Sequence, residues 1–336
     1  MMRKRVMNIQ YFTHTALSIL RGDQFILYHK PTTSCNCRCE FCDFWKNQDT
    51  EPGVKTQDVI KMLDDGWKAG LTTYSLWGGE PLMVRDLGIW LKHAKKLGYK
   101  TSLCTSGYML EERFDDINGY IDIILLSLEG VYENQDKIRN TPGLFDRIIR
   151  GVKKFRERGK AKIKIWSHIN RLNNNSILPI LKFAHENGLS VEFFPSNIFS
   201  DYNEEIIFSP EEKYRVFTAI MKLKKNGMPV NNSMEALKLM RGDSAYRCNM
   251  ARNAVHVDSN GKITPCEERF VESMQDYGNI LNQGLTLIHN KSTRHYNVKN
   301  LQNCRRCLFP CIAESAGNIY IRSLRRFADF ISGKDI

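Results

Sequence analysis

The chain has 336 residues, 42% of them hydrophobic, which suits one large domain with an appendage or two moderate domains. No stretch approaches the ~20 apolar residues of a membrane span, and the basic start MMRKRVMN leads into no apolar run of signal-peptide length, so the reading is cytoplasmic. The formal net charge of +12 admits an anionic partner such as nucleic acid, a phosphorylated substrate or a membrane surface, although a Lys-rich solvated surface explains it more simply.

Ile9, Phe12, Ala16 and Ile19 recur at helical spacing and predict an amphipathic extension over residues 1–24. A short strand over residues 25–28 follows, then a loop rich in cysteine. From there strands and helices alternate. Thr56 reads as the cap of a helix with Ile60, Leu63 and Trp67 on its apolar face. Residues 72–77 read as a strand ending in Gly78-Gly79, and the next helix places Leu87, Trp90, Leu91, Ala94 and Leu97 on one side. Strands are expected at 101–105, 121–126, 162–167 and 191–195. Helices are expected at 144–156 and at 177–184, where Pro179 falls in the first turn.

Six strand–helix units predict an α/β fold, a parallel sheet with helices outside. The cysteine loop and several polar clusters fall just after strand ends, where α/β barrels place their chemistry. The pattern changes near residue 200. Ser209-Pro210-Glu211-Glu212 is a helix start, with Ser as cap, Pro at the first position and Glu three residues after the cap. Residues 254–257 and 262–265 flank Ser259-Asn260-Gly261 as a hairpin, with Cys266 at its end. The division is therefore a barrel over 25–215 and a smaller α+β extension over 216–336.

The ten cysteines are clustered, four at 35–42, one at 104 and five from 248 to 311. Clusters of this kind point to metal in a reducing compartment rather than to a disulfide framework. Cys35, Cys39 and Cys42 share one loop after a strand. Zinc sites more often pair cysteines two to four residues apart with a distant second pair, so a [4Fe–4S] cluster fits better. Three thiolates leave one of four irons open, as a metal that acts on a substrate requires.

Cys35-x3-Cys39-x2-Cys42, with Phe41 before the last cysteine, resembles the signature loop of the radical S-adenosylmethionine (SAM) superfamily. The resemblance implies a partial (β/α)6 TIM-like barrel. It also implies that the open iron binds SAM, whose reductive cleavage yields a 5′-deoxyadenosyl radical that takes hydrogen from unactivated carbon. Ferredoxin or flavodoxin is the expected class of electron donor. Gly78-Gly79-Glu80-Pro81 is similar to the family motif that holds the SAM amino group; glycine permits close backbone approach and a carboxylate pairs with an ammonium. Thr105-Ser106-Gly107 resembles the family's Thr-Asn-Gly and puts Ser106 at the SAM ribose or carboxylate. Ser127-Leu128-Glu129-Gly130 stands where many relatives read Ser-Leu-Asp-Gly, and Arg139, before Pro142-Gly143-Leu144-Phe145, is suited to the SAM carboxylate. Cys37 falls off the family spacing and reads as a spare thiol. Cys104 reads as a small buried hydrophobe, Ser167 as a weaker candidate, and His168 and His185 as surface or cap residues.

Cys248, Gly261-x4-Cys266 and Cys304-x2-Cys307 enclose a second metal site, which spacing alone leaves open between zinc and iron–sulfur. The pattern is similar to SPASM and twitch extensions, which implies an auxiliary [4Fe–4S] cluster on Cys248, Cys266, Cys304 and Cys307, with Cys311 competing for the last place. Five cysteines suit one auxiliary cluster, hence two clusters in all. At the C-terminus, Ile321, Leu324, Phe327, Phe330 and Ile331 interleave with Arg322, Arg325 and Arg326, a basic amphipathic pattern that either packs on the body or lies on an anionic membrane. No general acid–base pair stands out. The expected function is radical modification of a peptide or small metabolite, with a peripheral membrane modifier of lipid or isoprenoid chains as the alternative. A metal-holding nucleic-acid-binding protein is the distant third reading, since no nucleic acid is expected.

Overall fold

The computed structural model describes residues 2–21, 23–46, 53–196, 201–267, 274–285, 291–305, 307–310 and 313. Cys311 and the basic C-terminal stretch lie outside them. The chain opens with helix α1 (Met2–Arg21). The barrel strands are β1 (Ile26–His29), β2 (Thr73–Leu76), β3 (Lys100–Thr105), β4 (Ile123–Ser127), β5 (Lys162–Ile169) and β6 (Ser190–Pro195). Between them run α2 (Thr56–Lys68), α3 (Leu87–Leu97), α4 (Phe114–Ile117), α5 (Glu133–Ile138), α6 (Leu144–Arg158) and α7 (Ile177–Glu186). Then come α8 (Pro210–Lys225), α9 (Met234–Arg241), α10 (Met250–Asn253), β7 (Ala254–Val257), β8 (Lys262–Thr264), β9 (Gly278–Asn279), α11 (Ile280–Gln283) and α12 (Lys291–Leu301).

Strands β1 to β6 pair in parallel and in sequence order, with the helical connections that parallel pairing requires. The partial (β/α)6 barrel with a smaller C-terminal extension is the architecture expected. The hairpin is not separate from it. β7 pairs in parallel with β1, register Tyr28 to His256, and β8 and β9 continue the same sheet by antiparallel pairing. The sheet order is therefore β6-β5-β4-β3-β2-β1-β7-β8-β9.

The period-two alternation of the strands sorts the side chains. Leu27, Tyr74, Leu103, Ile124, Ile165 and Phe193 are fully buried in the main core. Their neighbours Tyr28, Ser75, Cys104, Leu125, Trp166 and Phe194 line the barrel cavity instead. Ser167 belongs to the first group. It is buried with no partner for its hydroxyl among the described residues, while Trp166 and His168 on either side line the cavity.

Local chemistry fixes several boundaries. Ser209 and Glu212 form a reciprocal capping box at the start of α8, with Pro210 in the first turn. Thr56 is not a cap: it is the first helical residue of α2, and its hydroxyl donates to Asp86 and accepts from Trp90 Nε1 at 3.1 Å. The inner face of α1 also differs from the apolar one expected. Ala16 is exposed and the Ile9 side chain lies outside the described residues. Thr15 bonds Thr72 at 2.7 Å, Ser18 donates to the Gly70 carbonyl at 2.9 Å, and His14 stacks on Trp67. No helix among the described residues is long and apolar enough to cross a membrane.

Candidate functional site

The strand ends converge on a cavity of about 230 Å³. Cys35, Cys39 and Cys42 line it, as do Gly78, Gly79, Glu80, Ser106, Ser127 and Arg139. Pro81 is buried at the start of a short turn after Glu80. Cys266 and Cys307 reach the same cavity from the C-terminal extension. Two cysteine groups separated by more than 200 residues in sequence thus face one space.

The cysteine loop is held on two sides. The Gly79 and Glu80 amides donate to the carbonyls of Thr32 and Ser34 at 2.9 and 2.8 Å. Glycine is required here by the loop itself: a Cβ on Gly79 would stand 2.1 Å from the Ser34 carbonyl oxygen, and Gly78 adopts a φ of +123°. On the other side the Arg38 and Glu40 amides donate to the carbonyls of Arg139 and Ile138. Arg139 also places its guanidinium over the Phe41 ring at 5.6 Å.

Glu80 is 1% exposed and accepts four hydrogen bonds, from Leu82 N, Thr105 Oγ1, Ser106 N and Ser106 Oγ. Burial nevertheless pushes its pKa up, because loss of hydration outweighs those bonds. Ser106 therefore orients the carboxylate that faces the cavity. Arg139 Nε donates to Glu129 Oε2 at 2.6 Å, and both side chains are buried. The guanidinium expected to meet a SAM carboxylate is thus already paired with Glu129.

Cys37, the spare thiol of the loop, is fully buried and lines the same cavity. Hydrogen bonds from the Cys35 and Cys39 thiols hold it low, and the same bonds, with burial, push those two up. Cys104 is pushed up to about 11 by burial, in keeping with an inert small hydrophobe.

In the extension, Cys248, Cys266 and Cys307 pack in a small core with Tyr246, Met250, Ala254 and Leu301, and Cys304 lies near Cys248 and Cys266. Burial raises the thiol pKa of Cys248 and Cys266, and Cys304 adds to each. Tyr246 Oη donates to the Cys307 carbonyl, and the Cys248 amide donates to Gln302 O at 3.0 Å, so the two cysteine segments are stitched together. Among the described residues no group of three or more His, Cys, Asp or Glu is placed to hold a single metal ion. As donor sets, three cavity-facing thiols beside an organised carboxylate suit an open-iron cluster with SAM, and four gathered thiols suit a closed cluster.

Several lining residues escaped the sequence reading. His168, 6% exposed, lies between the rings of Phe41 and Phe194 at 4.9 and 5.2 Å, which corrects its assignment to the surface. His256 stacks on Tyr28 at 4.8 Å and meets Trp77 edge-on. Burial lowers both imidazoles to about 3, so both are neutral near pH 7. His168 Nε2, both ring nitrogens of His256 and Trp77 Nε1 have no hydrogen-bond partner among the described residues. An unpaired buried polar atom costs about 1–3 kcal/mol. The one visible signal was a histidine inside the otherwise apolar strand Ala-Val-His-Val.

Comparison with known proteins bears on the family, the cofactors and the fold. Residues 29–184 match the radical SAM superfamily, and residues 248–308 match an iron–sulfur cluster-binding domain of SPASM type. The chain belongs to the radical SAM superfamily. Membership implies a [4Fe–4S] cluster and SAM, and the SPASM match implies further cluster binding. A probable GTP 3′,8-cyclase of Saccharolobus solfataricus is 27% identical over 163 residues, covering 47% of this chain and 52% of that protein. An Fe-coproporphyrin III synthase of Methanosarcina barkeri is 25% identical over 210 residues, covering 59% and 52%. The chain thus spans about half the length of these curated relatives. Among solved structures, Streptococcus suis SuiB bound to its precursor peptide SuiA superposes with a TM-score of 0.67 at 18% identity, covering 86% of this chain and 70% of SuiB. Native anSMEcpe with bound AdoMet and Cp18Cys peptide gives 0.62 at 16% identity, covering 91% and 99%. At these identities the likeness is one of fold.

Proposed function

We propose that this radical SAM enzyme removes hydrogen from a peptide or small-metabolite substrate held between two [4Fe–4S] clusters. A single cavity facing both cysteine groups supports the reading. Cys35, Cys39 and Cys42 would hold the first cluster, and Cys248, Cys266, Cys304 and Cys307 the auxiliary one. When bound, the first cluster and SAM supply the 5′-deoxyadenosyl radical chemistry, fed by a ferredoxin- or flavodoxin-like donor. The chain's own residues do the rest. Glu80, oriented by Thr105 and Ser106, receives the SAM ammonium. The Glu129–Arg139 pair fixes Phe41 and the cysteine loop. The aromatic walls exclude water from the reacting carbon. Residues 25–215 form the catalytic unit in this reading, and 216–336 the cluster-binding unit.

Anaerobic reconstitution tests it. About eight irons per chain are expected from two four-iron clusters, and a Cys35/Cys39/Cys42 triple Ala variant should keep about half. With dithionite and SAM the intact protein should release 5′-deoxyadenosine. About four irons would remove the auxiliary cluster, and absence of 5′-deoxyadenosine would reject the activity and return attention to a metal-holding nucleic-acid-binding protein.

A membrane-peripheral modifier of lipid or isoprenoid chains is the second reading. Leu17 and Leu20 on α1 are 46% and 76% exposed, which favours it. Liposome flotation at low and high salt decides, since no binding at either rejects it.

A further inference from the structure

The cavity wall says what kind of group it receives, on the footing that the chain is the enzyme proposed above. Three observations bear on this. First, charge: among the described lining residues Arg139 is the only Lys or Arg, and Glu129 already occupies it at 2.6 Å. A triphosphate would find no uncommitted cation on this wall, and would meet the carboxylates of Glu80, Glu129 and Glu267. Second, shape: the space is bounded by the rings of Trp166, Phe194 and Phe309 on one side and of Tyr28 and Trp77 on the other. Flat apolar walls of this kind receive an aromatic or large aliphatic side chain. Third, unmet hydrogen bonding: His168 at the end of β5 and His256 on β7 line the cavity from strands five pairings apart in the curved sheet, each with ring nitrogen that no described residue satisfies.

A neutral imidazole carries one donor and one acceptor nitrogen. Two of them are therefore matched to a group that itself both donates and accepts without charge. The peptide amide is such a group, and an amide flanked by an aromatic side chain matches the walls as well. We infer that His168 and His256 are substrate-positioning residues that hold an uncharged backbone amide, with an adjacent aromatic or large apolar side chain lodged among Trp166, Phe194 and Phe309. The substrate class is thus a peptide segment and not a nucleoside triphosphate. Burial keeps both rings neutral, which removes the imidazolium charge that would otherwise attract phosphate.

The test uses the reconstituted full chain with SAM bound. N-acetyl-L-phenylalaninamide and GTP serve as probes, read by saturation-transfer difference NMR and competition. The blocked amino acid should bind, and GTP in equal concentration should not displace it. A His168→Phe/His256→Phe variant keeps aromatic bulk but loses both hydrogen-bonding edges; its iron content reports folding, and binding should weaken about tenfold or more. A His168→Gln/His256→Gln variant restores a neutral donor and acceptor at each place and should recover a good part of that loss. Displacement of the probe by GTP, or equal binding by the Phe variant with full iron content, overturns the inference. A protein that binds the probe as expected but releases no 5′-deoxyadenosine leaves this subsite standing and sinks the function proposed above, so the two failures are separate.

Discussion

Phe309, two residues after Cys307, packs its ring 5.5 Å from that of Phe194 on β6. β6 ends the sheet on one side, while β7 extends it on the other through β1. The contact therefore joins the last cysteine segment to the far edge of the barrel and closes the wall between them. An aromatic pair contributes about 0.5–1.5 kcal/mol beyond burial. Phe309→Ala should loosen the C-terminal segment, seen as faster limited proteolysis after residue 285 with little change in the first cluster's iron. Equal cleavage rates in the two proteins would show that Phe309 is not what closes the barrel.

Gly79→Ala should be far more damaging than its size suggests. Its Cβ would meet backbone, the Ser34 carbonyl at 2.1 Å, and backbone cannot rotate away as a side chain does. Iron after reconstitution should fall toward about half, from loss of the first cluster alone. Iron equal to that of the unsubstituted chain would mean that the cysteine loop can shift without losing its metal.

Arg139→Ala leaves the buried Glu129 carboxyl without its ion-pair partner. Removing one partner of a buried pair typically costs about 3–5 kcal/mol. The Arg139→Met/Glu129→Leu double variant removes both charges and should regain most of it. Urea unfolding of the three proteins measures this, and a single variant within about 0.5 kcal/mol of the parent would mean that the pair is solvated in solution.

Glu80 gives a pH signature. Burial raises its folded pKa above that of the unfolded chain, so the folded state holds the proton longer. Stability from this group is full below the unfolded value, falls as pH rises, and is lost above the raised folded value. Glu80→Gln should flatten that decline in Tm measured against pH. It should also weaken SAM binding by tenfold or more in equilibrium dialysis, because an amide cannot pair with an ammonium as a carboxylate does. Unchanged SAM affinity would remove Glu80 from the binding site.

The chemistry-bearing motifs were legible because they are local. Cys35, Cys39 and Cys42 lie within one loop, Gly78 to Pro81 within one turn, and the alternation of strands and helices is written in short-range periodicity. Where tertiary contact decides, the linear pattern was a poor guide. Of the apolar stripe Ile19 faces the barrel from α1 and Ala16 does not; Thr15 and Ser18 stand beside Ile19 instead, because Thr72 and the Gly70 carbonyl stand ready to bond hydroxyls. Thr56 gave up the role of cap for Asp86 and Trp90, which only the packing of α3 brings near.

The sequence alone determined the family, the kind of cofactor and the residue types that would hold it, since thiolate spacing is a property of a few consecutive residues. Only the tertiary structure decided that Cys266 and Cys307 open onto the same cavity as Cys35, that Arg139 is committed to Glu129, and that His168 and His256 line the space between. The shared cavity depends on the pairing of β7 with β1 and the closure by Phe309, contacts between segments more than 100 residues apart that no local pattern encodes.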